Sequence, residues 1–203
     1  MKRLSKRLFS MIIVFFLFHS AFSQEKNVGS NNFSYDQVGR KVSWIKVFEP
    51  TLSFDIETLK RYFTENNVLE IKEGDSSILR GMLIPKPIDI QKYGYKRMNT
   101  PMFLLDVEQK FNVLVEVKDG KYRVTLSGMG YIDNGVISDL AQKALVGNTS
   151  TTAKGNFVSY DGDFSFTNKN EVRTRNQLGF EILDKFYSDI LLIKESKKPD
   201  SDW

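Results

Sequence analysis

Apolar residues recur along this chain at two different spacings, and the switches between them mark out its elements. From Lys41 to Phe48 the run KVSWIKVF is rich in β-branched and aromatic residues and predicts a strand, closed by Pro50 because proline has no N–H to give a ladder. The spacing then changes. Ser53 is placed to cap a helix, Asp55 and Glu57 fall in its first turn where the helix dipole favours negative charge, and Ile56, Leu59 and Phe63 make one apolar stripe that should end near Asn66-Asn67. Two short runs, Val68 to Lys72 and Ile78 to Ile84, flank the turn-rich Glu73-Gly74-Asp75-Ser76 and read as a hairpin. A loop opened by Pro85 and Pro87 runs to Pro101, after which alternation resumes in FLLDVEQKFNVLVEVKDGKYRVTLSGMGYI.

Asp119-Gly120 is a dipeptide preferred in two-residue type I′ hairpins, where both turn residues need positive φ. Centring the turn there fixes a register. Val117 falls opposite Tyr122, Val115 opposite Val124 and Val113 opposite Leu126, so one face is wholly apolar. On the other, Glu116 meets Arg123, Leu114 meets Thr125 and Asn112 meets Ser127. A slip of one residue would exchange the faces, which makes the register self-checking.

Residues 133–167 predict a short helix from Ser138 to Leu145 and then a connection rich in Gly, Ser, Thr and Asn. From about Asn168 a helical pattern returns, with Gly179, Leu183, Phe186 and Ile190 on one face, flanked by Phe180, Tyr187 and Leu191, to roughly Lys194. The order strand, helix, four strands, helix implies an α+β fold, an antiparallel sheet with its helices packed on one face.

The N-terminus changes the reading of charge. Lys2, Arg3, Lys6 and Arg7 precede an apolar run from Leu8 to Phe18, and Ala21 and Ser23 fit the small positions of a signal-peptide cleavage site before Gln24. A membrane anchor is the rival, but eleven helical residues span only about 16 Å of a hydrocarbon core of roughly 30 Å. The expected division is therefore a signal peptide at 1–23, a flexible arm at 24–38, one domain at 39–195 and a flexible tail at 196–203. The leader holds four of the 29 Lys plus Arg, none of the 25 Asp plus Glu, and His19, the single histidine. The remainder carries equal numbers of acids and bases, which argues against nucleic acid as a partner. With no cysteine anywhere the exported chain is neither disulfide-stapled nor a lipoprotein, and its place is the periplasm or the exterior.

The tryptophan in the first strand, Trp44, the amphipathic helix after it, and above all Val115-Glu116-Val117-Lys118-Asp119-Gly120-Lys121-Tyr122-Arg123-Val124-Thr125 resemble an exported family of unknown function, frequent in Bacteroidetes, that is assigned a TBP-like fold. The resemblance covers roughly Val42 to Ile132. It implies a β-α-β-β-β-β-α order and brings no established activity or catalytic residue. The fold name refers to the architecture of the TATA-binding protein, and zero net charge argues against borrowing its ligand.

Without imidazole or thiol, the usual zinc sites and Ser-His or Cys-His hydrolysis are unavailable to the exported chain, and no cofactor is expected. Ser43-Trp44-Ile45-Lys46 matches the S-x-x-K pattern, but on a strand three residues apart point to opposite faces, so Lys46 could not activate Ser43. Asp161-Gly162-Asp163-Phe164-Ser165 has alternating oxygen donors, yet Phe166 and Val172 stand where a calcium loop needs Gly and Glu, and a turn is the better reading. Asp106 and Glu108 on one polar strand face would lie about 7 Å apart, the separation an inverting glycosidase uses, with Glu116 as a third acid. That pair motivates a competing expectation, a carboxylate-dependent hydrolase of cell-surface glycans. The preferred expectation is a non-catalytic binding or structural module of the bacterial envelope that takes an envelope protein, glycan or small ligand on the half-polar face of Asn112, Leu114, Glu116, Arg123 and Thr125, with a purely structural or oligomeric scaffold as a third class. The loop residues Tyr93, Tyr95, Lys96 and Arg97 could stack a sugar or grip an anion, or simply anchor their loop.

Overall fold

The computed structural model describes residues 32–51, 53–133, 155–160 and 162–194. The leader, the arm before residue 32, the helix expected from Ser138 to Leu145, Asp161 and the tail at 196–203 lie outside the described residues. Within them the chain forms an antiparallel sheet, with strands β1 (Phe33–Asp36), β2 (Lys41–Phe48), β3 (Leu69–Gly74), β4 (Ile78–Leu83), β6 (Glu108–Lys118) and β7 (Lys121–Asp133) in the spatial order β1-β2-β7-β6-β4-β3. The two-residue β5 (Lys86–Pro87) extends the β6 edge, and β8 (Asn156–Ser159) pairs with the far half of β7. Helices α1 (Ile56–Glu65), α2 (Gly162–Ser165) and α3 (Gln177–Leu191) complete the fold. The α+β class and the antiparallel sheet are as the sequence predicts.

The β6–β7 register matches the expectation at every pair, from Lys118 opposite Lys121 through Val117–Tyr122, Glu116–Arg123, Val115–Val124, Leu114–Thr125 and Val113–Leu126 to Asn112–Ser127. Beyond that the register shifts by one, with Lys110 opposite Gly130. Gly128, at φ 60, takes up the extra residue of a β-bulge. The reason is in the side chains. Without the bulge Met129 and Tyr131 would turn outward, and with it both are buried beside Phe111 and Gln109.

One core fills the space between the sheet and the helices. Trp44, Leu59, Phe63, Val115, Val124, Leu126, Ile182, Leu183 and Tyr187 are all fully buried in it. Helix α3 is fastened to the sheet by polar contacts at its middle and at its C-terminal end. Trp44 Nε1 donates to Asp184 Oδ1 at 2.7 Å, and the Tyr122 hydroxyl donates to the Leu191 carbonyl at 2.7 Å while accepting from the Ile193 N–H at 2.9 Å. Gln109 is buried on β6, where its Oε1 accepts from the hydroxyls of Tyr160 at 2.5 Å and Tyr187 at 3.3 Å.

Several elements differ from expectation. The arm expected at 24–38 contains strand β1, held because Phe33 and Tyr35 are buried: Phe33 meets the edge of Phe180 at 4.7 Å, and the Tyr35 N–H donates to Asn170 Oδ1 at 2.7 Å. Asp55, not Ser53, caps α1, accepting from the Thr58 N–H at 2.7 Å. Helix α3 starts at Gln177 instead of near Asn168, since Phe166 and Val172 form an antiparallel bridge around a turn that puts Asn170 at φ 61. The connection expected after Leu145 holds β8 and α2.

Candidate functional site: the open face of the sheet

The helices cover one side of the sheet, and alternation directs every second residue to the other. Across that open face the register lines up three rows. One runs Val47, Arg123, Glu116, Ile78; the next Ile45, Thr125, Leu114, Arg80, Glu73; the third Ser127, Asn112, Met82, Glu70, while Ser43 on β2 is paired with Ser34 of β1. All five expected face residues, Asn112, Leu114, Glu116, Arg123 and Thr125, therefore stand together at its centre. The sequence reading missed their neighbours. Ile45 and Val47 are 38% and 39% exposed, and Ile78, Met82 and Leu114 are half-buried without joining the core.

At the centre of this face the charges are paired. Arg123 Nη2 lies 2.8 Å from Glu116 Oε2, with Nε of the same guanidinium at 2.9 Å, a two-pronged contact. Arg80 reaches Glu73 at 4.0 Å. Ser43 and Ser34 share a hydrogen bond at 2.8 Å. What results is an apolar band at each flank, a paired ion bridge between them, and small hydroxyl and amide groups below.

The other candidates are placed differently. Lys46 projects to the helix side and donates to Ser188 Oγ at 2.6 Å, so the S-x-x-K pair is split across the sheet as strand geometry requires. Asp106 does not lie on a strand at all. It sits at φ 58 two residues before β6 begins, where Arg97 takes both of its carboxylate oxygens and, by that hydrogen bonding, holds its carboxyl below the usual range. The strand-mounted pair expected of Asp106 and Glu108 is thereby corrected: Asp106 lies before the strand in a left-handed conformation, its two oxygens are occupied by Arg97, and a carboxylate held ionised in this way cannot serve as the general acid. Asp163, in α2, accepts from the Tyr35 hydroxyl at 2.5 Å and faces Arg40 at 3.4 Å, along a cleft of about 390 Å³ that also includes Gln37 and Arg173. Among the described residues no group of three or more His, Cys, Asp or Glu side chains stands where it could hold a metal ion.

The loop with Tyr93, Tyr95, Lys96 and Arg97 lies against α3. Tyr93 donates to Asp189 at 3.1 Å, Tyr95 donates to Glu181 at 2.7 Å, and Lys185 both donates to the Tyr95 hydroxyl at 2.6 Å and lies 4.7 Å from its ring centre. Lys96 is exposed, and Arg97 is engaged with Asp106. The tyrosines act as anchors of the loop.

Asp189 is the hub of that anchorage, with Lys92 and Lys194 each at 2.5 Å. Partial burial pushes its carboxyl up, but hydrogen bonds from Lys194, Lys92 and Tyr93 outweigh this and bring it down to about 2. A group whose pKa is depressed by folding stabilises the fold above its unfolded value and loses that contribution as pH falls through the folded one. Acidification from about pH 4 to about pH 2 should therefore remove about 1–2 kcal/mol through this residue, the full shift being discounted because both lysines are half exposed. In urea titrations across that window Asp189→Asn should be less stable than the parent near neutrality and the difference should vanish at the acid end. Parallel pH profiles for the two proteins would refute this role.

No family model matches the chain, and no curated protein matches it. Among the described residues no helix is long and apolar enough to cross a membrane. The chain is similar to two solved structures. One is a TBP-like protein from Parabacteroides distasonis, at 10% identity and a TM-score of 0.36, covering 74% of this chain and 90% of that one. The other is a DUF4468 family protein from Bacteroides ovatus, at 14% identity and a TM-score of 0.38, covering 81% of this chain and 94% of that one.

Proposed function

We propose that this chain is an exported, non-catalytic binding module of the bacterial cell envelope whose recognition surface is the open face of its sheet. The observation that carries the reading is the set Ile45, Val47, Ile78, Met82 and Leu114, aliphatic residues that contribute nothing to the core and surround a matched ion pair. Covering such a band is favourable at roughly 25 cal/mol per Å² of apolar surface, whereas Arg80 and Arg123, each beside a glutamate, give no positive field to draw a polyanion. Splitting Ser43 from Lys46 and locking Asp106 to Arg97 leave the nucleophilic and carboxylate chemistries without their geometry. That supports binding over hydrolysis.

The test places a photoreactive amino acid at Leu114 and, as control, at Lys60 on the exposed side of α1. In cells producing the chain with its own leader, the Leu114 position should give a discrete crosslink in the envelope fraction and the Lys60 position none, and the chain recovered there should begin at Gln24. Equal labelling at the two positions, or none at Leu114, would reject the open face. A product retaining Met1 in the cytosol would reject export.

A further inference from the structure

We infer that the partner on the open face is a second copy of this chain, stacked sheet to sheet about a twofold axis that runs along the strands between β6 and β7. The inference rests on the reading of that face as a recognition surface and names its occupant.

The centre of the face is complementary to itself. Such an axis sets β7 over β6 of the second copy and β2 over β4, because those strands flank the β6–β7 pair on either side. Each residue of the central hairpin is then set over its own cross-strand neighbour. Arg123 comes over the partner's Glu116, Thr125 over the partner's Leu114 and Ser127 over the partner's Asn112. In the outer strands Val47 comes over the partner's Ile78, since both share a row with the Arg123–Glu116 pair. Ile45 meets the partner's Arg80, whose aliphatic stem can cover it while the guanidinium turns to Glu73. At the centre Arg123 and Glu116 each meet an opposite charge, and beside them Val47 meets Ile78 and Ile45 meets the Arg80 methylenes.

Sheets stacked about 10 Å apart cross at about 30°, which displaces the flanks more than the centre, so the contacts nearest the axis are the ones that survive. Those are Arg123 with Glu116 and Thr125 with Leu114. Two ion pairs, one from each copy, would close into a four-membered ring of alternating charge. A polyanion or a basic partner finds no such match, since either would oppose half of the ring.

Size sets the strength. The four strands that the axis pairs, β2, β7, β6 and β4, span about 19 Å, and six residues along them about 20 Å, giving a footprint of about 400 Å² a side, the size of a weak, transient contact. The dimer should accordingly form reversibly in the micromolar range.

Sedimentation analysis of the purified protein over a range of concentrations tests this directly. The wild type should show a reversible monomer–dimer equilibrium. Arg123→Glu places four carboxylates where the ring stood and should weaken association at least about tenfold. The double variant Glu116→Arg/Arg123→Glu restores alternation and should return association to within about threefold of wild type. Circular dichroism melts of both variants distinguish a lost interface from a lost fold, the lower-melting fraction being excluded from the comparison. A wild type that stays monomeric throughout, a dimer insensitive to Arg123→Glu, or a double variant that folds but does not regain association each overturns the inference. A strict monomer that still crosslinks a different envelope protein from Leu114 would remove the second copy and leave the recognition face standing.

Discussion

Replacing Trp44 with alanine is expected to destabilise the fold by about 3–5 kcal/mol, a large share of the roughly 5–15 kcal/mol that holds a domain of this size together. The indole is fully buried, with Tyr187 at 5.7 Å and Phe48 at 6.3 Å between ring centres, so its removal opens a cavity where β2 meets α3. It also strips a donor from Asp184, whose carboxylate accepts from Trp44 Nε1 at 2.7 Å and from Asn32 Nδ2 at 2.8 Å. The two losses can be separated. Trp44→Phe keeps most of the packing and removes the N–H, and should cost about 1–3 kcal/mol. Because Trp44 is one of two tryptophans in the chain, circular dichroism should follow the urea transition in place of fluorescence. A Trp44→Ala loss under about 1.5 kcal/mol would mean that α3 is not anchored to the sheet through this residue.

The legible parts of this fold were those in which local chemistry and pattern agree. The Asp119-Gly120 turn demands positive φ, which both residues adopt at 51° and 72°, and the alternation on either side admits a single register. The illegible parts depend on partners far along the chain. Nothing local says that β2 lies beside β7 or β4 beside β6, so the candidate site could be read only as its central hairpin, without Ile45, Val47, Ile78 and Met82. A signal was nevertheless present. KVSWIKVF and ILRGML carry apolar residues at both parities, the mark of a strand that is not simply wet on one side. Likewise Met129 and Tyr131 are out of step with Leu126, and Gly128 between them marks the bulge that restores the phase. Asp106 departs from its expected strand for the opposite reason. Alternation in FLLDVE suggested a strand, while the backbone there makes a 3₁₀ turn at Met102–Leu104 and a left-handed residue at Asp106.

Gly81 shows how that long-range pairing constrains a single position and, through it, the open face. Strand β3 carries a bulge between Ile71 and Glu73, which brings its backbone close to β4 opposite Gly81. A Cβ on Gly81 would stand 2.4 Å from the Glu70 carbonyl oxygen and 3.3 Å from the Ile71 Cα. Those atoms are backbone of the neighbouring strand and cannot rotate away, so the added methyl must push β3 off. Gly81→Ala is expected to cost about 2–4 kcal/mol and to raise hydrogen exchange at the Leu69–Gly74 amides ahead of the rest of the sheet. Gly120→Ala is the control: it meets nothing within 4 Å, so strain from its positive φ alone should cost about 1 kcal/mol. Because Arg80 and Met82 flank Gly81 on the open face, and Arg80 pairs with Glu73 across the strained ladder, the displacement should also weaken whatever that face binds. A Gly81→Ala protein within about 0.5 kcal/mol of wild type would show that β3 can yield, and the outer rows of the face would then be adjustable and not fixed.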